Sequence, residues 1–149
     1  MEWIFYFVLN WFIFILLVNW KELKVNMWGG ILGIVLASFV DYHKVNTEAY
    51  LLKNLIVEIY NTSIFFLFGP AFVIGTLFVQ YHPAKRWIAV VNVFLFTFFF
   101  TAMEYTLVET GVIEYIKWYY YDSIIINFAV FYTLSFFSIV VMNKKIKQN

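Results

Sequence analysis

The chain has 149 residues, of which 64% are hydrophobic and 13% charged, with a net charge of +1 and no cysteine. A soluble domain carries about 25% charged residues, and a single core of this size cannot hide so much apolar surface. Near-neutral charge gives no basis for nucleic acid binding, and the lack of cysteine excludes disulfides, thiol catalysis, Cys-based zinc sites and thiol lipidation.

Lipid is the solvent this composition calls for. The expected fold is all-α, a polytopic transmembrane helix bundle of five spans in one domain over residues 1–149. The first span, 3–20, begins at Trp3 and ends at Trp20, residues suited to the two interfaces. No basic stretch or small-residue cleavage site precedes it, so this helix is expected to stay in the protein. The second, 25–42, is shorter. Within it Gly29, Gly33, Ala37 and Asp41 recur every four residues and share one stripe of a helix. Small residues at that spacing let helix backbones approach closely in lipid.

Residues 46–61 are amphipathic. Leu51, Leu52, Leu55, Ile56 and Ile59 fall at helical spacing, with Lys53, Asn54 and Glu58 between them. An interfacial helix, or the wet end of the next span, is expected. The third span, 62–81, carries Gly69-Pro70 near its middle, where a kink is expected. A turn at Tyr81-His82-Pro83 leads to the fourth span, 87–109, which Gly111 terminates. An aromatic interfacial segment, 114–122, precedes the fifth span, 123–142, and a polar tail, Asn143 to Asn149, follows.

Alternating spans place Lys21, Lys24, Lys85, Arg86, Lys144, Lys145 and Lys147 on one face, and Lys44, Lys53 and Lys117 on the other. The basic-rich face is expected to be cytoplasmic, which puts the N-terminus outside and the C-terminus inside. The acids are more lopsided. Only Glu22 falls inside, whereas Asp41, Glu48, Glu58, Glu104, Glu109, Glu114 and Asp122 fall at the outer side.

Most of these solvate loops. Glu104 does not: it lies about 7–8 Å deeper in its span than Glu109 and shares a face with Thr97 and Thr101. A carboxylate there faces protein, a partner or water. Asp41, Glu58 and Glu104 are the candidate polar pocket, able to share a proton or hold a cation. The competing expectation is that each pairs with Lys44, Lys53, Lys117 or a tyrosine hydroxyl and fixes helix packing. His43 and His82 fall on opposite faces, and no metal-ligand or cofactor pattern is present. Ser123, Asn127 and Ser138 on the fifth span read as interhelical hydrogen-bond donors.

Tyr81-His82-Pro83, Met103-Glu104-Tyr105, Gly111, Tyr115 and Trp118 together resemble an uncharacterised family of small five-span integral membrane proteins of bacilli and clostridia. The resemblance covers 27–131 and matches Asp41, Pro70 and Glu104 as well, although members often carry glycine where this chain has Val40. It implies a multi-pass protein of a bacterial cell membrane and supplies no activity. The order glutamate, glycine, aromatics also occurs in carotenoid-modifying membrane enzymes, but so loose a motif carries no function across folds.

Two functions are therefore in view. One is a non-enzymatic accessory component that binds membrane lipids and a second copy or another membrane protein, through the Gly29/Gly33 face. The other is a cation- or small-molecule-handling permease-like unit, or a lipid-modifying enzyme, using Asp41, Glu58 and Glu104.

Overall fold

Each apolar stretch forms a helix. The computed structural model describes residues 2–142, so the polar tail and its lysines lie outside the described residues. The helices are α1 (Glu2–Leu17), α2 (Leu23–Asn46), α3 (Ile64–Gln80), α4 (Arg86–Glu109) and α5 (Tyr120–Val140). Of these, α2, α4 and α5 are long and apolar enough to cross a membrane, while α1 and α3 are apolar but shorter. The surface is the inverse of a soluble protein's. Phe12, Phe39, Trp87 and Phe98 are exposed, whereas Thr76, Asn127 and Ser138 are buried.

The helices alternate in direction. Trp3 Nε1 donates to the Lys53 carbonyl at 2.8 Å, which sets the start of α1 beside the chain leaving α2. At the far end, Gln80 Nε2 and the Tyr81 hydroxyl donate to the Leu17 carbonyl at 2.8 and 2.7 Å. They satisfy a carbonyl that the end of a helix otherwise leaves unpaired. His82 Nε2 lies 2.8 Å from Ser135 Oγ and ties the turn after α3 to the lower part of α5.

The small-residue stripe is used inside the chain. α2 packs most extensively on α3, and a Cβ placed on Gly29 would lie 2.7 Å from the Gly75 carbonyl oxygen. One placed on Gly33 would lie 2.5 Å from that of Ala71. Only hydrogen fits at either position.

Pro70 has its expected effect in an unexpected form. The helix widens into a π turn at Leu67–Ala71, and the Phe72 N–H reaches back to Leu67 and Gly69. That leaves the Phe68 carbonyl without its ordinary partner, and Trp11 Nε1 of α1 donates to it at 3.0 Å. A neighbouring helix thus restores what the proline disturbs.

The helix expected over 46–61 is not there, and the fold is not purely α. Strand β1 (Tyr50–Leu52) pairs antiparallel with β4 (Ile113–Tyr115), in register Tyr50↔Tyr115, Leu51↔Glu114 and Leu52↔Ile113. Strands β2 (Glu58–Ile59) and β3 (Thr62–Ser63) form a hairpin. Its turn residues Tyr60 and Asn61 both have positive φ, 50° and 63°, as a two-residue hairpin loop of the primed type requires. The helical spacing of the leucines is real, but two facts override it. Left-handed backbone at Glu48 and Asn54 breaks any helix on either side of β1, and a partner strand from the α4–α5 connection takes up the backbone groups. The aromatic segment over 114–122 correspondingly begins as strand.

Candidate functional site

The β1–β4 ribbon closes the end of the bundle where α2 and α4 finish and α1, α3 and α5 begin. Beneath it lies a cavity of about 80 Å³. Asp41 comes from the last turns of α2, one step along the stripe from Ala37 and two from Gly33, which also line the cavity. Glu104 comes from the last third of α4, and Ser123 and Asn127 from the first turns of α5. Tyr50 and Trp118 descend from the ribbon and the segment after it.

Each acid is held by neutral donors. Asp41 is buried, and the Tyr50 hydroxyl donates to its Oδ1 at 2.5 Å. The fully buried Thr62 hydroxyl stands beside the same carboxylate but at poor hydrogen-bond geometry. Glu104 Oε1 accepts from the Ser123 hydroxyl at 2.6 Å and the Tyr115 hydroxyl at 2.8 Å. Its Oε2 accepts from Asn127 Nδ2 at 2.9 Å. Trp118 Nε1 donates to Ser123 Oγ at 2.7 Å, which leaves the serine proton free for Glu104.

The two ribbon tyrosines stay protonated donors. Burial pushes the Tyr50 phenol well above its usual range, and the charge of Asp41 adds to this. Burial and then Glu104 do the same for Tyr115. Lysines are nearby but engaged elsewhere. Lys53 pairs with Glu114, and Lys117 pairs with Glu48 at 3.3 Å. Lys44 Nζ sits 4.7 Å from the centre of the Trp118 ring. Among the described residues, no lysine or arginine forms an ion pair with Asp41 or Glu104.

Asp41 and Glu104 thus line one cavity. Glu58 does not join them: it is exposed on β2 and absent from the lining. The tyrosine alternative describes both the buried Asp41 and the half-buried Glu104, and the lysine alternative describes only surface acids. Ser123 and Asn127 bridge α5 to α4, whereas the buried Ser138 hydroxyl has no hydrogen-bond partner. His43 is exposed and packs on the rings of Phe39 and Tyr42. No group of three or more His, Asp or Glu among the described residues is placed to hold a metal ion.

Tyr50 is a site residue that the sequence did not single out, and Tyr115 stood out there only within the family resemblance and not as part of the polar pocket. Their signal was weak: one more tyrosine each in aromatic-rich connections, brought together only by strand pairing.

Below the acids the cavity is apolar. Phe66 of α3, Phe100 of α4 and Val130 and Leu134 of α5 line it. Ser123 and Leu134 are separated by about 16 Å along their helix, so a polar head sits over an apolar slot. No family model matches this chain, and neither the curated proteins nor the solved structures hold a match to it.

Proposed function

We propose that this chain is a five-span membrane protein that admits a small ligand to a cavity in its outer half, headed by Asp41 and Glu104. Two carboxylates line one cavity with no cation paired to either among the described residues, and that coincidence carries the proposal. Acids within a membrane segment are expensive and mark ligand, ion or proton sites by default.

Five alternating helices support five spans, with α1 and α3 as the short ones. Tyr42, Tyr60 and Tyr119 are exposed at the ribbon end, and Trp20, Trp28 and Trp87 at the other, as two interfacial belts require. Lys21, Lys24, Lys85 and Arg86 gather at the end opposite the ribbon, against Lys44, Lys53 and Lys117 at the ribbon end, and this excess supports a cytoplasmic placement of the first end and an outer ribbon. A cell-membrane location belongs to the same proposal. An accessory, partner-binding role loses its proposed surface, because α3 of the same chain covers the Gly29/Gly33 face.

The chain's lack of cysteine offers a direct test. Single variants Ala37→Cys and Met103→Cys place a thiol in the cavity, and Phe98→Cys places one on the exposed face of α4. The cavity thiols should react with methyl methanethiosulfonate at least about tenfold faster than the lipid-facing one, because only a hydrated thiol ionises readily. Equal rates would remove the proposal. For orientation, Glu48→Cys should react with an impermeant maleimide on intact cells, and Lys85→Cys only after lysis.

A further inference from the structure

We infer that the ligand of this cavity is a small alkylammonium compound, its cationic head between Asp41 and Glu104 and its hydrocarbon in the apolar slot along α5. The inference rests on the cavity reading above and names the class of molecule that fits it.

Charge comes first. Two acids line the cavity, their hydrogen-bond partners are neutral hydroxyl and amide donors, and Lys44, Lys53 and Lys117 at this end of the bundle are engaged elsewhere. An anion is repelled, and a neutral molecule leaves both acids uncompensated in a medium where charge is costly. A cation is the complementary occupant.

Wall chemistry then separates organic from inorganic cations. A hard divalent ion takes six or more oxygen ligands. Here Tyr50, Ser123, Tyr115 and Asn127 already occupy acceptor positions on the two carboxylates, and most of the remaining wall is hydrocarbon. Aromatic rings line the cavity, among them Trp3, Tyr50, Phe66 and Trp118. Tyr50 and Trp118 meet edge to face at 5.9 Å, and Trp3 and Phe66 at 6.1 Å. Aromatic faces attract weakly hydrated organic cations, quaternary ammonium above all. A metal ion that must keep its water gains little from them.

Size and shape narrow the class further. A cavity of about 80 Å³ has no room for a bulky multi-ring cation. The slot continues past Phe100 and Val130 to Leu134, so a linear alkyl chain follows the head. An aminophospholipid also carries an ammonium, but its phosphate would face the two carboxylates, and a free amine avoids that repulsion.

The test uses the full-length Ala37→Cys protein in detergent, with labelling by methyl methanethiosulfonate as the readout. Hexyltrimethylammonium should slow labelling at least about fivefold at saturation, while hexanesulfonate, hexanol and magnesium leave it within about twofold. Adding Asp41→Asn or Glu104→Gln should weaken the protecting concentration about tenfold or more, as loss of a desolvated charge partner does. Phe66→Leu keeps an apolar wall without touching either acid, and should weaken protection by the quaternary compound more than by hexylammonium. Equal protection by hexanol would reduce the cavity to an apolar slot, and protection by magnesium alone would make it an inorganic site; either overturns the inference. Protection by phosphatidylethanolamine in place of the free amine also overturns it. If the thiol labels readily and no ammonium compound protects it, the inference fails and the cavity stands. If the thiol does not label, the cavity itself fails.

Discussion

Two helical turns of α2 separate two kinds of construction. At Gly29 and Gly33 the backbone of α2 lies against the backbone of α3, with no room for a methyl group and no polar side chain required. At Asp41 the same stripe meets a hydroxyl from a strand, and beyond it a carboxylate from α4. The seam is held by shape, and the head of the cavity by directed hydrogen bonds. A seam built from shape tolerates no added volume but is indifferent to charge. A site built from hydrogen bonds around acids is the reverse.

Four measurements bear on that contrast, taken from the largest expected effect downward. Gly75→Leu should cost about 3 kcal/mol or more of stability against SDS unfolding, because a side chain there meets the Gly29 carbonyl. If the variant unfolds like the parent, the seam is not close-packed. Ser123→Ala should cost about 1–3 kcal/mol by taking a donor from Glu104 and an acceptor from Trp118. Ser138→Ala, equally buried but without a partner, should be within about 0.5 kcal/mol of the parent. Equal losses at the two serines would deny the directed-bond account.

Titration gives a third comparison. Burial raises Tyr50 and Tyr115 above their usual range in the folded chain, so the unfolded chain loses these protons first. Their contribution is complete below about pH 10 and is lost as pH rises beyond it. Thermal stability in detergent should therefore fall above about pH 10, and Tyr115→Phe should flatten the fall. The smallest effects belong to the periphery. Trp11→Phe removes the donor to the Phe68 carbonyl and should cost about 0.6 kcal/mol. Lys53→Gln breaks an ion pair whose side chains are half exposed, and should change stability by less than about 1 kcal/mol.

What could be read directly from the residues was what depends on near neighbours in the chain. Apolar runs became helices because a helix satisfies its own backbone. Gly29 and Gly33 marked a close-packing face, and Pro70 marked a helix irregularity, because sterics at one position decide both. The stripe did not say which helix would fill it, and the answer was α3 rather than a partner. The sequence also marked Asp41 and Glu104 as acids in unusual places. It did not separate them from Glu58, because Glu58 leaves the group only through a hairpin whose turn depends on left-handed backbone at Tyr60 and Asn61.

Tertiary structure alone decided the rest. Residues 50–52 lie within the helical pattern read over 46–61 and yet form a strand, because their partner, Ile113–Tyr115, lies on the connection between the last two helices. No local property of either segment encodes that pairing. It brings Tyr50 over Asp41 and Tyr115 over Glu104, and so converts two separate acids, each legible in its own helix, into the head of one cavity. Membrane character follows from composition because solvation is summed residue by residue. The site follows only from the fold, because it is made of contacts between residues far apart in the chain.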